Sequence, residues 1–279
     1  MHGSEVMINW EHIKYEVKTK RGVKMNMHNE SPLFSVTNQK FNVIILAAGL
    51  GSRLKPETDY LPKALVELGK GGLRAIDYSI RKYQYIAERF IIALGYSAEL
   101  LENYIKGKYS SLNIFFSREE VSELCGPGKS LVYALDYASS KLSTIITFCD
   151  YVINDQISLE YDSICVCKPS KEDSVLDTYK TVAVVDEGIV VDLKKNEDME
   201  NVKEDGFTGI AICHNTKLLK SIVYSAAASK TELEDVDYAY IIRSYIQKVR
   251  TLACPLSKIF EFGTEDTLKR TRRYLNGDS

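Results

Sequence analysis

The stretch VIILAAGLGSRLKPETDYLPKAL, residues 43–65, is the most informative part of this chain. It begins with an uninterrupted aliphatic run, residues 43–48, which predicts a strand buried on both faces, as in a parallel sheet. A turn with Gly49 and Gly51 follows. Open parallel sheets bind ligands at the carboxyl edge of their strands, and glycines there let backbone N–H groups approach an anion. Arg53 and Lys63 add positive charge for phosphate oxygens.

Two common phosphate-binding patterns do not fit. The dinucleotide-binding fingerprint needs a third glycine where this chain has Leu54. The P-loop pattern ends in Gly-Lys-Ser/Thr, which occurs at residues 128–130, but Glu123 stands where its first glycine is required. The sequence therefore predicts a phosphate-binding turn of another type.

Strand and helix patterns alternate from residue 42 to residue 150, which predicts a parallel sheet built from right-handed crossovers. Beyond residue 155 the pattern is richer in strands. The predicted fold class is α/β: a Rossmann-like mixed, mostly parallel sheet flanked by helices, with a β-rich second half. The predicted strands are residues 43–48, 90–94, 112–116, 144–150, 163–168, 180–185, 189–195 and 207–213, and the predicted helices are residues 73–88, 97–109 (with Ser97 as N-cap), 129–141, 233–249 and 266–275.

The first 40 residues differ from the rest. Apolar and polar residues alternate around Tyr15 and again around Met25, with Lys20-Arg21-Gly22 between them, so residues 1–40 are interpreted as an arm that is disordered or forms a hairpin. Residues 41–279 are predicted to form one domain.

Composition excludes several classes of function. The 279 residues carry 36 Lys and Arg against 38 Asp and Glu, and this balance argues against a nucleic-acid-binding surface. No apolar run is long enough for a membrane helix, and the N-terminus lacks a signal peptide, so we expect a cytoplasmic protein. The six cysteines form no Cys-x-x-Cys pair and are expected to be buried thiols. Three of the four histidines lie in the first 28 residues; His214 alone does not support a histidine-based hydrolase or zinc site.

The segment LAAGLGSRL, residues 46–54, followed by Pro-Lys-Ala-Leu at residues 62–65, resembles the signature of the sugar-phosphate nucleotidyltransferases. These are the NDP-sugar pyrophosphorylases, with cytidylyltransferase relatives that use phosphocholine or a polyol phosphate. Weaker similarity extends over about residues 42–275. The resemblance implies nucleotide binding by Ala47, Ala48, Gly49, Gly51, Ser52 and Gly126, catalytic cations at Arg53 and Lys63, acceptor binding by Lys194 or Lys195 and by Gly209, and a Mg²⁺ held by Asp150 and Glu261.

The expected reaction is transfer of NMP from an NTP to a sugar 1-phosphate with release of pyrophosphate. The partners are therefore an NTP and a phosphorylated small-molecule acceptor, with no nucleic acid and no membrane; a homo-oligomer is left open. One alternative is a cytidylyltransferase for phosphocholine or another small phosphate. Another is a non-catalytic nucleotide-sensing subunit, suggested because Cys149 replaces the family's glycine and Glu261 its aspartate, although both cations are kept.

Overall fold

The computed structural model describes residues 39–69, 71–118, 126–168, 181–195, 205–228 and 237–277. The arm predicted for residues 1–40 lies outside this part of the chain, apart from Gln39 and Lys40. Gln39 donates a hydrogen bond to Ser143, and Lys40 donates one to the carbonyl oxygen of Tyr85. No helix in the described ranges combines the length and the apolar character needed to cross a membrane.

Several strands coincide with continuous apolar runs in the sequence. In the described residues they are β1 (Phe41–Leu46), β2 (Glu67–Gly69), β3 (Leu73–Arg74), β4 (Ala87–Leu94), β5 (Ile114–Arg118), β6 (Ser143–Phe148), β7 (Tyr151–Val152), β8 (Ser163–Cys167), β9 (Thr181–Asp186), β10 (Ile189–Lys195), β11 (Asp205–Cys213), β12 (Leu252–Leu256) and β13 (Phe260–Glu261).

The helices lie between these strands and close the chain. They are α1 (Ala75–Tyr83), α2 (Ala98–Lys108), α3 (Pro127–Asp136), α4 (Thr216–Ala228), α5 (Tyr238–Ile246) and α6 (Glu265–Asn276), with 3₁₀ turns at Ser52–Leu54 and Lys63–Leu65.

Nine of the strands form one sheet in the order β5-β4-β1-β6-β11-β8-β12-β10-β9. The first four are mutually parallel, β11 runs antiparallel between β6 and β8, and β9 and β10 form an antiparallel hairpin. The predicted mixed, mostly parallel α/β fold with a β-rich second half is confirmed. The chain moves outward from β1 through β4 to β5 and then returns to the other side of β1 at β6. Ligands bind at such a switch point in open α/β sheets.

Both faces of the sheet are covered, so its central strands are buried throughout. Alternate side chains of β1, Val43 and Ile45, pack with residues of α1 and α2 on one face. Ile44 and Leu46 point the opposite way and pack with α3, α4 and α5. A smaller core beside the main sheet joins α6 to the strands β2, β7 and β13, and Phe262 is fully buried in it.

Residues with positive φ precede both β10 and α2. The Glu187-Gly188 turn between β9 and β10 has positive φ at both residues, 46° and 79°, as a tight hairpin turn requires. Ser97 precedes α2 as predicted, but it is left-handed (φ 51°) and makes no side-chain cap. Ser97 therefore holds the predicted N-cap position without a side-chain capping hydrogen bond. The cysteines in the described ranges are free thiols, buried except for the half-buried Cys254.

A buried carboxylate ties α1 to α2. Asp77 on α1 has no solvent exposure and accepts hydrogen bonds from the backbone N–H of Arg74, from the hydroxyls of Tyr104 and Tyr109, and from the ammonium of Lys108, all at 2.7–2.8 Å. Burial alone would raise the pKa of Asp77, but these donors, Lys108 foremost, together hold the pKa below its usual value. The ionised carboxylate therefore stabilises the fold.

We predict that Asp77→Asn lowers the free energy of unfolding by about 2 kcal/mol at pH 7, because the charged hydrogen bonds are lost. A depressed folded-state pKa stabilises the protein above the ordinary Asp pKa, near 4, and this stabilisation disappears as pH falls through the folded-state value. Urea denaturation of wild type and variant should therefore differ most near neutrality and converge in acid. Asp186→Asn, at an exposed carboxylate, is the control. A wild-type advantage that does not shrink in acid would contradict this assignment.

Candidate active site

A cavity of about 350 Å³ opens at the carboxyl edge of the sheet, between the ends of β1 and β6. The structure brings all six predicted nucleotide-binding residues together around this cavity, along with both predicted cations and the carboxylate that follows β6. These predicted lining residues are Ala47, Ala48, Gly49, Gly51, Ser52, Gly126, Arg53, Lys63 and Asp150. Sequence reasoning did not assign Leu50, Pro127, Ser130, Phe148 or Gly263 to the site, although they also line it.

Residues 47–52, named here the phosphate loop, line the cavity. Within the described ranges, the N–H groups of Gly49, Leu50 and Gly51 have no hydrogen-bond acceptor. Gly51 is left-handed (φ 67°), and a Cβ there would stand 2.9 Å from Cγ2 of Thr58, so glycine is required for both reasons. Free N–H groups in such a turn form a site for an anion.

Helix α3 points its amino end at the same cavity. Gly126 is its N-cap and Pro127 its first residue, and the first turn carries no acidic side chain. The amino end of a helix bears partial positive charge from its unpaired N–H groups, which favours an anion there. The phosphate loop and α3 thus supply positive potential from the backbone alone.

Lys63 and Asp150 form an ion pair at the cavity wall. Lys63 Nζ lies 3.1 Å from Oδ2 of Asp150 and 5.6 Å from the centre of the buried Phe262 ring. The Lys63 side chain is 12% exposed and that of Asp150 33% exposed. The ammonium is therefore held between an aromatic face and a carboxylate, with both charged groups still reached by solvent through the cavity.

The second carboxylate, Glu261, is held beside Asp150 by backbone pairing. Strand β13 pairs antiparallel with β7, which places Glu261 opposite Tyr151, and the N–H of Phe262 donates to the carbonyl oxygen of Asp150. Burial first, and then the negative charge of Asp150, raise the pKa of Glu261, while Lys63 and Arg53 oppose that rise. The two carboxylates thus repel one another in a partly desolvated position.

Gly263 lets Glu261 and Arg53 approach each other. A Cβ at Gly263 would stand 2.6 Å from Glu261 Oε1 and 3.4 Å from Arg53 Nη2. Arg53 itself is exposed. The two predicted cations and the two predicted metal ligands therefore form one cluster, although they come from three separate segments of the chain.

Cys149, which stands where the related family has glycine, is almost completely buried at the cavity wall. It lines the cavity but is 5% exposed, and it packs in the core on the α1–α2 face of the sheet. Burial, with a contribution from the Asp150 carboxylate, raises the pKa of Cys149 to about 12, so the thiol is neutral. Lys129 on α3 is also buried, and it is not among the described residues that line the cavity.

Of the residues predicted to bind the acceptor, Gly209 lies against a side chain of the cavity wall. Gly209 on β11 is left-handed (φ 85°), and a Cβ there would meet the Phe148 ring at 2.6 Å. Phe148 lines the cavity and packs edge-on against Tyr238, whose hydroxyl donates to the carbonyl oxygen of Gly209. Gly209 therefore shapes the cavity through Phe148.

Lys194 and Lys195 end β10, on the hairpin that also pairs with the start of β11. Both are exposed and neither is among the described lining residues. Their assignment to the acceptor phosphate stays a prediction.

We predict that Gly209→Ala lowers kcat/KM for the reaction that the resemblance implies, because the new methyl group displaces Phe148 from the cavity wall. The matched control is Gly188→Ala: Gly188 also has positive φ (79°), but a Cβ there meets no atom within 4 Å. Both variants should lose about 1 kcal/mol of stability from backbone strain. Gly209→Ala should lose a further 1–3 kcal/mol or so through overpacking. Equal kinetics and equal urea midpoints in the two variants would rule out this role for Gly209.

Comparison with known sequences agrees with this geometry. Residues 43–161 match the family described as MobA-like NTP transferase domain. A D-glycero-alpha-D-manno-heptose 1-phosphate guanylyltransferase from Campylobacter jejuni is 27% identical over 154 residues, which cover 54% of this chain and 67% of the relative. A choline-phosphate cytidylyltransferase from Streptococcus pneumoniae is 42% identical over 76 residues, covering 26% of this chain and 31% of the relative. The matched segment thus spans less than a third of that second relative.

Solved structures extend the likeness to most of the fold. A CTP:phosphocholine cytidylyltransferase from Streptococcus pneumoniae superposes with a TM-score of 0.68, covering 85% of this chain and 100% of that one at 20% identity. A glucose-1-phosphate thymidylyltransferase from Bacillus anthracis, described as putative, gives 0.67 over 84% of this chain and 95% of that one at 16% identity. The resemblance to the nucleotidyltransferases is therefore confirmed, by sequence over residues 43–161 and by fold over most of the chain.

Proposed function

We propose that this protein is a nucleotidyltransferase that transfers NMP from an NTP to a phosphorylated small molecule and releases pyrophosphate. The observation that carries the proposal is that the phosphate loop, Arg53, Lys63 and Asp150 line one cavity, with the Glu261 carboxylate next to this cluster. Three of the loop N–H groups have no acceptor among the described residues. The heptose 1-phosphate guanylyltransferase and the choline-phosphate cytidylyltransferase that match the chain act on phosphorylated acceptors, in agreement with this reaction.

The reaction joins two anions. An oxygen of the acceptor phosphate attacks the α-phosphorus of the NTP and forms a new P–O bond. The bond from the α-phosphorus to the bridging oxygen breaks, and pyrophosphate leaves with that electron pair. A phosphate dianion is already a nucleophile, so no general base is needed. The protein must instead align the two substrates and neutralise their charge.

The phosphate loop and the amino end of α3 bind the triphosphate through the backbone. Lys63 and Arg53 add side-chain cations, which stabilise negative charge that develops as pyrophosphate departs. Lys63 pairs with Asp150 in the substrate-free site, and a phosphate oxygen in the cavity would compete with that carboxylate for the ammonium. Phe148 and the buried core beneath it exclude water from one side of the cavity.

Asp150 and Glu261 are suited to hold a divalent cation. Burial, and then the charge of Asp150, raise the pKa of Glu261, and a cation between the two carboxylates would offset both effects. Mg²⁺ accepts one or two carboxylates and completes its shell with waters and substrate phosphates, and no cluster of three such protein ligands is present in the described ranges. When bound, Mg²⁺ would neutralise phosphate charge and orient the triphosphate. The Glu261 side chain is one methylene longer than the aspartate that it replaces in the related family.

The acceptor class is expected to be a sugar 1-phosphate. Phosphocholine or a polyol phosphate is the second candidate, favoured by the 42% identity to a choline-phosphate cytidylyltransferase over 76 residues. A non-catalytic nucleotide-binding subunit is less well supported, because Arg53 and Lys63 both line the cavity and Cys149 packs in the core.

A pyrophosphate-release assay tests the proposal directly. The four common NTPs are each combined with glucose 1-phosphate, a heptose 1-phosphate, phosphocholine and glycerol phosphate, with and without Mg²⁺. We expect release with one NTP and one acceptor class, dependent on Mg²⁺. Release with phosphocholine alone would select the second candidate. Saturable NTP binding without release under any combination would replace the enzyme with the nucleotide-sensing subunit.

We predict that Lys63→Ala lowers turnover in that assay by about 100-fold, because one cation is lost from the reacting phosphates. Lys55→Ala is the matched control: Lys55 belongs to the same segment, but its side chain is 65% exposed and pairs with Asp59. Thermal unfolding should show both variants folded. Turnover reduced equally in the two variants would contradict the specific role of Lys63.

A further inference from the structure

Thr58 lies directly beneath the phosphate loop, and neither motif nor comparison gave it a role. Its Oγ1 donates a hydrogen bond to the carbonyl oxygen of Gly51 at 2.8 Å, and the residue is 2% exposed. It does not line the cavity, so any effect on substrates must act through the loop.

The hydrogen bond fixes the orientation of one peptide group. The Gly51 carbonyl oxygen also accepts the N–H of Leu54 at 2.8 Å, so two donors occupy its two lone-pair directions. In a planar trans peptide the C=O and the following N–H point in opposite directions. Holding the Gly51 carbonyl towards Thr58 therefore aims the N–H of Ser52, a lining residue, away from Thr58.

Thr58 also fills the space under the left-handed glycine. A Cβ at Gly51 would meet Thr58 Cγ2 at 2.9 Å and Thr58 Cβ at 3.3 Å. The threonine thus contacts the loop through both branches of its side chain: the hydroxyl bonds the carbonyl and the methyl group supports the Cα. Serine would keep the first contact, and valine would keep the second.

The other end of the loop is held from the end of β4. The N–H of Tyr96 donates to the Ala48 carbonyl oxygen at 3.4 Å, and a Cβ at Gly95 would stand 2.3 Å from that oxygen. These contacts involve backbone atoms. The loop is therefore supported on both sides, and Thr58 contributes a side-chain hydroxyl to that support.

We propose that Thr58 is a positioning residue for the phosphate loop: its hydroxyl bond to the Gly51 carbonyl sets the direction of the Ser52 N–H, one of the loop N–H groups that bind the triphosphate. This inference rests on the proposed function. The hydroxyl orders the loop before the NTP arrives, which removes an ordering cost from binding.

The test compares Thr58→Val, which removes the hydroxyl at nearly constant shape, with Thr58→Ser, which keeps it. The matched control is Thr216→Val. Thr216 is 1% exposed, and its hydroxyl also donates to a backbone carbonyl, that of Leu142, but at the opposite edge of the sheet. Calorimetry measures the affinity for NTP and, as a second probe, for inorganic triphosphate. The pyrophosphate-release assay gives KM and kcat, and thermal unfolding gives the melting temperature.

Thr58→Val should raise the KM for NTP and the Kd for triphosphate by about tenfold, the value of one hydrogen bond. Thr58→Ser should restore both to within about twofold of wild type. Thr216→Val should lower the melting temperature without changing either constant. Wild-type NTP and triphosphate affinity in Thr58→Val, or equal losses in the Val and Ser variants, would overturn the positioning role alone. A wild-type protein that binds neither NTP nor triphosphate would overturn the proposed function and this inference together.

Discussion

The burial of Glu261 beside the Asp150 carboxylate is the constraint on which the rest of the site depends. Two carboxylates are brought together by the short β7–β13 ladder, and burial prevents water from fully screening them. Holding two carboxylates together in a partly buried position lowers the free energy of unfolding. Lys63, at 3.1 Å from Asp150, offsets part of that cost, and the smaller core around Phe262 holds the segments in place. The fold therefore maintains a site whose charges are best satisfied by a ligand.

The sequence predicted those parts of the fold whose signals are local. Continuous apolar runs located β1, β4, β6 and β8, because strands covered on both faces need apolar side chains at every position. The phosphate loop could be located from its two glycines, which the turn requires. Lys63 could be located from the Pro-Lys pair at residues 62–63. All six nucleotide-binding positions predicted from the resemblance line the cavity.

What the sequence left out depends on contacts between distant segments. Strands β7 and β13 have two residues each, too few for any periodicity, yet they place Glu261 beside Asp150 across more than a hundred residues. Helix α4 and strand β12 were missed; β12 is short and contains Pro255, which usually argues against a strand. Thr58 was passed over because a buried threonine is unremarkable until its hydroxyl is seen to meet the Gly51 carbonyl.

Charge balance explains why this site combines so many different sources of positive potential. Before substrates bind, the two cations Arg53 and Lys63 match the two carboxylates, and the cluster is close to neutral. A triphosphate and a phosphate monoester add several negative charges, and a monoester alone carries between one and two near neutral pH. Two cations whose charge already balances two carboxylates cannot offset that addition. In the proposed reaction, the remaining potential comes from the loop N–H groups, from the amino end of α3 and from a divalent cation, since each contributes without another lysine or arginine. Under the proposed function, a nearly neutral chain thus binds two highly charged substrates at one edge of its sheet.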